Sequence, residues 1–289
     1  MALTRILVTT KVTVTHTFYT DEGKVDAAGA VTATLKRLDG TVVDTQAATH
    51  GGTGDYSYPV PASAVVDAQR LEWSGSFGGV TIVAVDYVEH VGGFLFGLGE
   101  ARAAHKFLKD TERFPTALLA AKRIEVEQEL EGICGQAWVP RFSRRALNGR
   151  GYEQLATPDS MLRTLRAATI GGVALTSTEL AAVSPTDSGV LRRSTGSAWP
   201  AGYRNVIAEY EHGNDYPPEP IKEAGILRMR SRLAMTTTEI PDRAISWSAA
   251  EGGTYRLSTP GRLKTGVPEI DGILERPGYT VRRPRVAVA

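Results

Sequence analysis

The sequence has 289 residues, of which 42% are hydrophobic and 22% charged, with 33 Lys and Arg against 32 Asp and Glu. This length predicts about two domains, and the net charge of +1 argues against a nucleic-acid binder with a large basic surface and against an acidic disordered chain. A single cysteine, Cys134, excludes an intramolecular disulfide and a cysteine-rich zinc site. With no apolar run of about 18–20 residues and no leader pattern after Met1, we expect a soluble protein of a reducing compartment, with no membrane partner.

The charge is spread unevenly along the chain. Residues 1–92 carry six Lys and Arg against ten Asp and Glu, residues 93–240 carry 19 against 17, and residues 241–289 carry eight against five. An acidic first block, a balanced middle and a basic end predict three units with different neighbours, at these same boundaries. Chance is the alternative explanation of steps of this size.

The first block has the pattern of an all-β domain. Apolar and polar residues alternate from Val12 to Phe18 and again from Val31 to Lys36, and Asp39-Gly40 is a turn pair that closes a hairpin. About seven short strands separated by turn signals are typical of an immunoglobulin-like β-sandwich over 1–92. Trp73 is expected in its core.

The second block changes to a helical period. The sequence predicts helices over 100–109, 116–134 and 221–235, of which 116–134 is the clearest because Pro115 precedes it and Gly135 follows it. Between the second and third helices, short strands and turns predict a small β insertion at about 138–212. The expected fold of 93–240 is therefore an α-helical core with a β insertion.

The last block has too few apolar residues to fold alone. Residues 241–289 are rich in Pro and Gly and end in Arg282-Arg283-Pro284-Arg285. A hairpin around Gly252-Gly253 and one or two helical turns near 268–274 are predicted. Such a segment usually buries itself against a partner, so we expect an extended C-terminal arm. A frayed tail without a function is the alternative.

Motifs for chemistry are nearly absent, and the sequence predicts neither enzymatic activity nor a cofactor or metal. No HExxH, GxSxG or P-loop motif occurs, and a dinucleotide fingerprint at Gly97-Leu98-Gly99 fails because position 102 is Arg. The acidic residues around His212 could bind a cation, but a solvated turn explains them equally. Cys134 lies on the apolar face of a predicted helix and is interpreted as a buried hydrophobe rather than the nucleophile of a Cys–His pair.

Short basic clusters occur at 144–145, 192–193, 228–232 and 282–285. They could face DNA phosphates or acidic patches of a protein partner. No aromatic residues of the nucleic-acid-module type are interleaved with them, so nucleic-acid recognition is not expected as the main function.

Four stretches of the second and third blocks resemble a known family. They are AAKRIEVEQELEGICG (120–135) with AWVPR (137–141), WPAGYRNV (199–206) with EYEHG (209–213), PPEPIK (217–222) with the helix after it, and GGTYRLSTPG (252–261) with TGVPEID (265–271). In this order and spacing they resemble the head-to-tail adaptor, or connector, proteins of long-tailed bacteriophages, especially those of actinobacterial phages. The resemblance spans roughly residues 95–276, and the first block is similar to the Ig-like modules added to phage structural proteins.

The resemblance implies a structural virion protein of the neck, present in the host cytoplasm during assembly. It implies a dodecameric ring of this chain below the portal protein, with the C-terminal extension reaching the portal's clip region. Such a ring extends the channel for the genome DNA and receives a stopper or tail-completion protein.

On this basis we predict two sets of site residues. The portal-binding residues are expected to be Trp247, Tyr255, Arg256, Leu257, Ile270 and Leu274. The residues expected to face DNA in the channel are Arg228, Arg230 and Arg232, of which at most two share a helix face. The alternative function is an Ig-like surface- or carbohydrate-binding accessory protein of a virion, in which Tyr56, Tyr58 and Trp73 are exposed.

Overall fold

We analysed a computed structural model, which describes residues 3–193, 196–235, 244–248, 254–257 and 264–279. Strands outnumber helices along the described chain, and three separate hydrophobic cores organise it. One core lies in the N-terminal β unit, one in a second β unit, and one between helices.

The first unit is a sandwich of two β-sheets. Its strands are β1 (Leu3–Leu7), β2 (Val12–Thr17), β3 (Tyr19–Thr20), β4 (Gly23–Lys24), β5 (Thr32–Arg37), β6 (Val42–Ala47), β7 (Thr49–Gly52), β8 (Asp55–Val60), β9 (Asp67–Phe77) and β10 (Val80–Val91). The larger sheet has the order β1-β10-β9-β5-β6, the smaller has the order β2-β8-β7, and β3 and β4 form a short hairpin. β1 runs parallel to β10, and the other pairs are antiparallel.

Alternation of apolar residues explains the sandwich. Every second residue of β9 from Gln69 to Phe77 is buried, and residues of both sheets share one core. Trp73 is fully buried, and its indole Nε1 donates to a carboxylate oxygen of Asp86 at 3.0 Å. His16 Nδ1 lies 2.7 Å from the same oxygen, so the buried polar atoms are paired. The prediction of an all-β first block is confirmed.

The middle of the chain contains helices and a second β unit. Its elements are α1 (Leu98–Ala104), a 3₁₀ turn (Lys106–Lys109), α2 (Thr116–Cys134), β11 (Arg141–Gly149), β12 (Gln154–Ala156), β13 (Leu162–Ile170), β14 (Val173–Ala174), α3 (Ser177–Ala181), β15 (Val183–Pro185), β16 (Val190–Arg193), β17 (Gly202–His212) and α4 (Glu219–Met235). Four strands form a sheet in the order β11-β17-β13-β14, and three form a smaller sheet in the order β12-β16-β15.

The expectation of an α-helical core with a small β insertion is wrong. The β unit from 141 to 212 has a core of its own, which includes Trp199, Val206, Ala208 and Tyr210. This β unit is too large to be a small insertion, because β11, β13 and β17 are long strands of nine to eleven residues. The described chain is therefore mainly β, with a helical layer attached.

The helical layer is formed by α1, α2 and α4, and by α5 (Pro268–Leu274) from the last block. Their apolar faces share the third core. Helix α2 ends at Gly135, whose φ of 72° is the left-handed conformation that glycine adopts without strain. The predicted span 116–134 for α2 is confirmed.

The prediction that the last block is an extended arm is wrong for the part that contains α5, because this helix packs into the chain's own core. Ile270, Ile273 and Leu274 are buried in the core that α2 and α4 also line. Residues 244–248 (β18) and 254–257 (β19) form the predicted hairpin, with Trp247 opposite Tyr255. The turn of that hairpin, the 240/241 boundary and the basic run 282–285 lie outside the described residues.

Candidate assembly surfaces

A buried cluster of charged side chains joins the first unit to α2 and β11. Arg5 of β1 donates to Glu89 at 2.8 Å, to Glu127 at 2.8 Å and to Glu131 at 2.9 Å. Its side chain is 4% exposed and that of Glu127 is 1% exposed. Because Glu127 and Glu131 stand one turn apart on α2, a single guanidinium reaches both of them.

Arg141, the first residue of β11, completes this cluster. Its Nη2 donates to Glu127 at 3.1 Å and to Glu131 at 2.9 Å, and the other oxygen of Glu127 accepts from the backbone N–H of Leu95 at 2.7 Å. Burial opposes the charge on Arg5, but the three carboxylates around it raise its pKa. Burial likewise opposes the charge on Glu131, and Arg141 and Arg5 outweigh it and hold the pKa of that carboxyl below its ordinary value. The cluster fixes the sandwich and the second β unit to the same helix.

The polar residues around His212 do not form a cation site. His212 is buried, its Nε2 lies 3.1 Å from Ser143 Oγ, and burial lowers its pKa. The two acidic residues beside it pair with arginines: Arg144 Nε donates to Glu209 at 2.9 Å, and Arg166 Nε donates to Glu211 at 2.7 Å. Across the described ranges, no group of His, Cys, Asp and Glu is arranged to hold a metal ion.

Cys134 is a buried residue of the helical core. Burial raises the pKa of its thiol to about 11. A thiol with a raised pKa is a poor nucleophile, so the structure favours the interpretation of Cys134 as a small hydrophobe.

The three arginines expected in the DNA channel have different surroundings. Arg228 is 7% exposed and donates to both carboxylate oxygens of Glu129, at 2.7 and 2.8 Å. Arg232 pairs with Glu125 at 3.0 Å and with Glu129 at 3.1 Å. Arg228 and Arg232 thus join α4 to α2, and of the three only Arg230 is exposed.

The six residues expected at the portal fall into two places. Ile270 and Leu274 belong to α5 and are buried inside the chain's own helical core. Trp247, Tyr255, Arg256 and Leu257 belong to the β18–β19 hairpin, where Tyr255 pairs with Trp247 and Arg256 with Ser246. The hairpin brings these four residues together on two paired strands.

A surface that sequence reasoning missed lies where β11 and β13 end and β17 begins. We call it the basic tip and define it by six exposed side chains: Arg150, Tyr152, Val173, Arg192, Tyr203 and Arg204. Tyr152 is 69% exposed, Tyr203 is 82% exposed and Val173 is 72% exposed. The repeated Gly-Arg-Gly-Tyr (149–152) and Gly-Tyr-Arg (202–204) were the sequence signal for it.

Hydrogen bonds from backbone N–H groups to side chains fix the backbone conformation of the basic tip. The N–H of Arg204 donates to Asn148 Oδ1 at 2.7 Å, and that of Gly149 donates to Asn205 Oδ1 at 2.9 Å. A Cβ on Gly149 would lie 1.9 Å from the carbonyl oxygen of Pro200, so only glycine fits there. Arg204 has a φ of 48°, a strained value for a residue with a side chain. The tip therefore presents its aromatic and basic side chains on a preorganised turn.

A second exposed surface lies at one end of the sandwich. We call it the acidic end and define it by Tyr19, Asp21, Glu22, Asp26, Val80, Ile82 and Val83. Val80 is 64% exposed and Val83 is 56% exposed. Strand β9 connects the two parts: the ring of Phe18 lies 4.5 Å from that of Phe77, and the N–H of Ala28 donates to the carbonyl of Ser76 at 2.8 Å, while β10 pairs with the other side of β9.

No helix in the described part of the chain is long and apolar enough to cross a membrane. No protein-family model matches the chain, and neither does any curated protein.

Two solved structures contain similar chains. One is a chain in the neck of an empty gene transfer agent (GTA) particle computed with C6 symmetry, with 17% identity, a TM-score of 0.38, and coverage of 65% of this chain and 91% of that chain. The other is a chain in the virion of a native GTA particle, with 17% identity, a TM-score of 0.34, and coverage of 54% of this chain and 84% of that chain. These two structural neighbours are components of gene transfer agent particles, one of them of a neck.

Proposed function

We propose that this chain is a structural protein of the virion neck, a head-to-tail adaptor that forms a ring below the portal and has no enzymatic role. The observation that carries the proposal is that the described parts of the stretches resembling phage adaptors lie in the helical core and in the sheet whose Arg141 pairs with α2. The first is α2 with the entry to β11, the second is β17, the third is α4, and the fourth ends in α5. In the described structure, α2, α4 and α5 share one core, and β17 pairs with β11 along its length.

The buried cluster supports a mechanical role. The ion pairs of Arg5 and Arg141 connect β1, α2 and β11, which belong to separate parts of the sequence. Arg228 and Arg232 connect α4 to α2 in the same manner. A chain braced at these places can transmit load between neighbouring proteins without changing its own shape. We propose the β18–β19 hairpin as a surface for a partner, in line with the resemblance.

The strand order supports an Ig-like topology for the first unit. Two antiparallel sheets are packed face to face, and the first strand pairs in parallel with the last at one edge. The alternative function required Tyr56, Tyr58 and Trp73 to be exposed. They are 3%, 0% and 0% exposed, so none of them can stack against a sugar at the surface. We therefore propose the first unit as a structural module rather than a carbohydrate-binding one.

The proposal is tested by binding to a portal ring. The full chain is mixed with the portal of the same phage genome and the complex is separated by size and examined by light scattering. We expect the portal complex to gain the mass of many copies of the chain. In the double variant W247A/Y255A, we expect the affinity for the portal to fall by about tenfold or more. K11E, in an exposed loop of the sandwich, is the matched surface control. A wild-type chain that leaves the mass of the portal unchanged would overturn the proposal.

A further inference from the structure

The basic tip and the acidic end carry opposite charge on different parts of one chain. At the tip, Arg150, Arg192 and Arg204 are exposed, and no ion pair involves them within the described ranges. The acidic residue beside them is Glu153, which is half-buried. A rigid turn that presents exposed tyrosines, with arginines that form no ion pair in the described ranges, has the composition of a protein-interface hot spot.

At the acidic end, Asp21, Glu22 and Asp26 are exposed. Asp55 pairs with Lys24 at 2.7 Å, which leaves these three carboxylates in excess. Asp26 accepts from the N–H of Gly54 at 2.6 Å and lies 2.9 Å from His50, and these bonds hold its pKa below the ordinary value. The end is therefore negatively charged at neutral pH.

An open strand edge lies across β9 from the segment that carries Asp26. In the described structure, residues 80–86 of β10 pair with β9 on one side, while β1 covers only residues 87–91 on the other. The run Val80-Thr81-Ile82-Val83-Ala84-Val85 has no charge and no proline, which are the usual protections of a strand edge. An uncharged β-branched edge next to exposed valines is a surface that a partner covers.

We propose that the acidic end of one copy receives the basic tip of the next copy. The occupant is a second copy because each surface supplies what the other lacks: arginines meet Asp21, Glu22 and Asp26, while Tyr152, Tyr203 and Val173 meet the apolar edge at Val80–Val83. A contact between two different surfaces of identical chains is heterologous, and repeated heterologous contacts build a ring when the rotation between copies closes. The inference rests on the proposed ring and names the surfaces that would build it.

A charge-swap experiment on the full chain tests this contact. One variant is D21K/E22K/D26K, with a basic sandwich end, and the other is R150E/R192E/R204E, with an acidic tip. Each variant alone places like charges at every contact, so we expect its self-association to weaken at least about 100-fold. An equimolar mixture of the two, or one chain carrying all six changes, restores opposite charges and is expected to recover assembly. K11E/K106E/K109E, which changes three exposed lysines outside both surfaces and lowers the net charge as much as R150E/R192E/R204E does, is the control for net charge.

Assembly is followed by sedimentation velocity and light scattering, both for the free chain and for the chain on the portal. Recovery in the mixture and in the sixfold variant supports the contact. The inference is overturned if each reversed variant assembles like the wild type, or if the mixture stays as weak as its components. It is also overturned if the wild type binds the portal as separate copies, a result that leaves portal binding, and so the neck function, intact.

Discussion

Arg5 and Glu127 are 122 positions apart in sequence, yet the guanidinium Nη1 of Arg5 lies 2.8 Å from Glu127 Oε2 in a site almost closed to water. A charge buried to this extent is tolerated only with full pairing, because its transfer from water costs several kcal/mol. The orientation of the sandwich relative to α2 is therefore tied to the pairing of these two side chains.

Arg5→Ala is expected to lower the free energy of unfolding by about 3–5 kcal/mol, because three carboxylates lose a buried partner. Urea denaturation of the full chain measures this change. Arg144→Ala removes a half-exposed pair with Glu209 and is expected to cost about 1 kcal/mol or less. Equal losses in the two variants would show that the cluster around Arg5 has no special role.

Stability is expected to fall as the pH drops below about 6.5. His212 is buried with a lowered pKa, so between its folded pKa and the ordinary value of 6.5 the unfolded chain binds a proton that the native chain does not. The stabilisation is present above pH 6.5 and is lost as the pH falls towards the folded pKa.

His90 and His105 have lowered pKa values for the same reason, burial, and add to this slope. In His212→Gln the slope between pH 6.5 and 5 is expected to decrease by up to about 1.4 kcal/mol per pH unit. Denaturation midpoints over this pH range provide the measurement, and an unchanged slope would contradict the assignment.

Carboxylates extend the loss of stability to lower pH. Glu131 and Asp159 have lowered pKa values in the folded chain, so their contribution is present above their ordinary values of 4.5 and 3.8 and disappears as the pH falls through the folded values. We expect Glu131→Gln to unfold with a flatter dependence on pH below about 4.5. A titration by circular dichroism tests this, and a curve parallel to that of the wild type would refute it.

Two glycines are expected to respond oppositely to alanine. Gly149→Ala places a Cβ against the carbonyl of Pro200 and is expected to lower the unfolding free energy by about 1–3 kcal/mol. Gly132 lies inside α2 with open space at its Cβ position, so Gly132→Ala is expected to raise that energy by about 0.5–1 kcal/mol. Thermal unfolding of the two variants checks the pair. A tip that tolerates alanine at 149 would not be the rigid turn described above.

Packing and partner binding can be separated at the C-terminal block. Ile270→Ala opens a cavity in the helical core and is expected to cost about 2–5 kcal/mol of stability. The expectation for W247A/Y255A is weaker portal binding with little change in the unfolding free energy. If Ile270→Ala binds the portal normally at a temperature where it is folded, Ile270 acts through packing and not through contact.

The sequence was sufficient to predict the elements whose ends are marked by neighbouring residues such as proline and glycine. Pro115 before α2 and Gly135 after it fix that helix from neighbouring residues alone, and the alternation around Trp73 does the same for the sandwich. Short strands were predicted over 138–212, but the nine-residue length of β11 was not, because Arg141, Arg144 and Arg145 interrupt its apolar pattern. Their partners lie far away along the chain: Arg144 faces Glu209 on the neighbouring strand.

The candidate sites show the same limit. The basic cluster at 228–232 suggested DNA contacts, but Arg228 meets Glu129, 99 positions earlier in the sequence. Ile270 and Leu274 suggested an apolar arm, and the fold supplies their cover from α2 and α4. Pattern analysis detects which residues need a partner, while the identity of the partner depends on tertiary contacts.

The most direct test of the neck function is the mass of the portal complex. Light scattering on the portal alone, on the 31.0 kDa chain alone and on their mixture gives the number of copies bound. A closed ring of copies on the portal, lost in W247A/Y255A, is the predicted result. A chain that remains a monomer beside an unchanged portal would contradict the account.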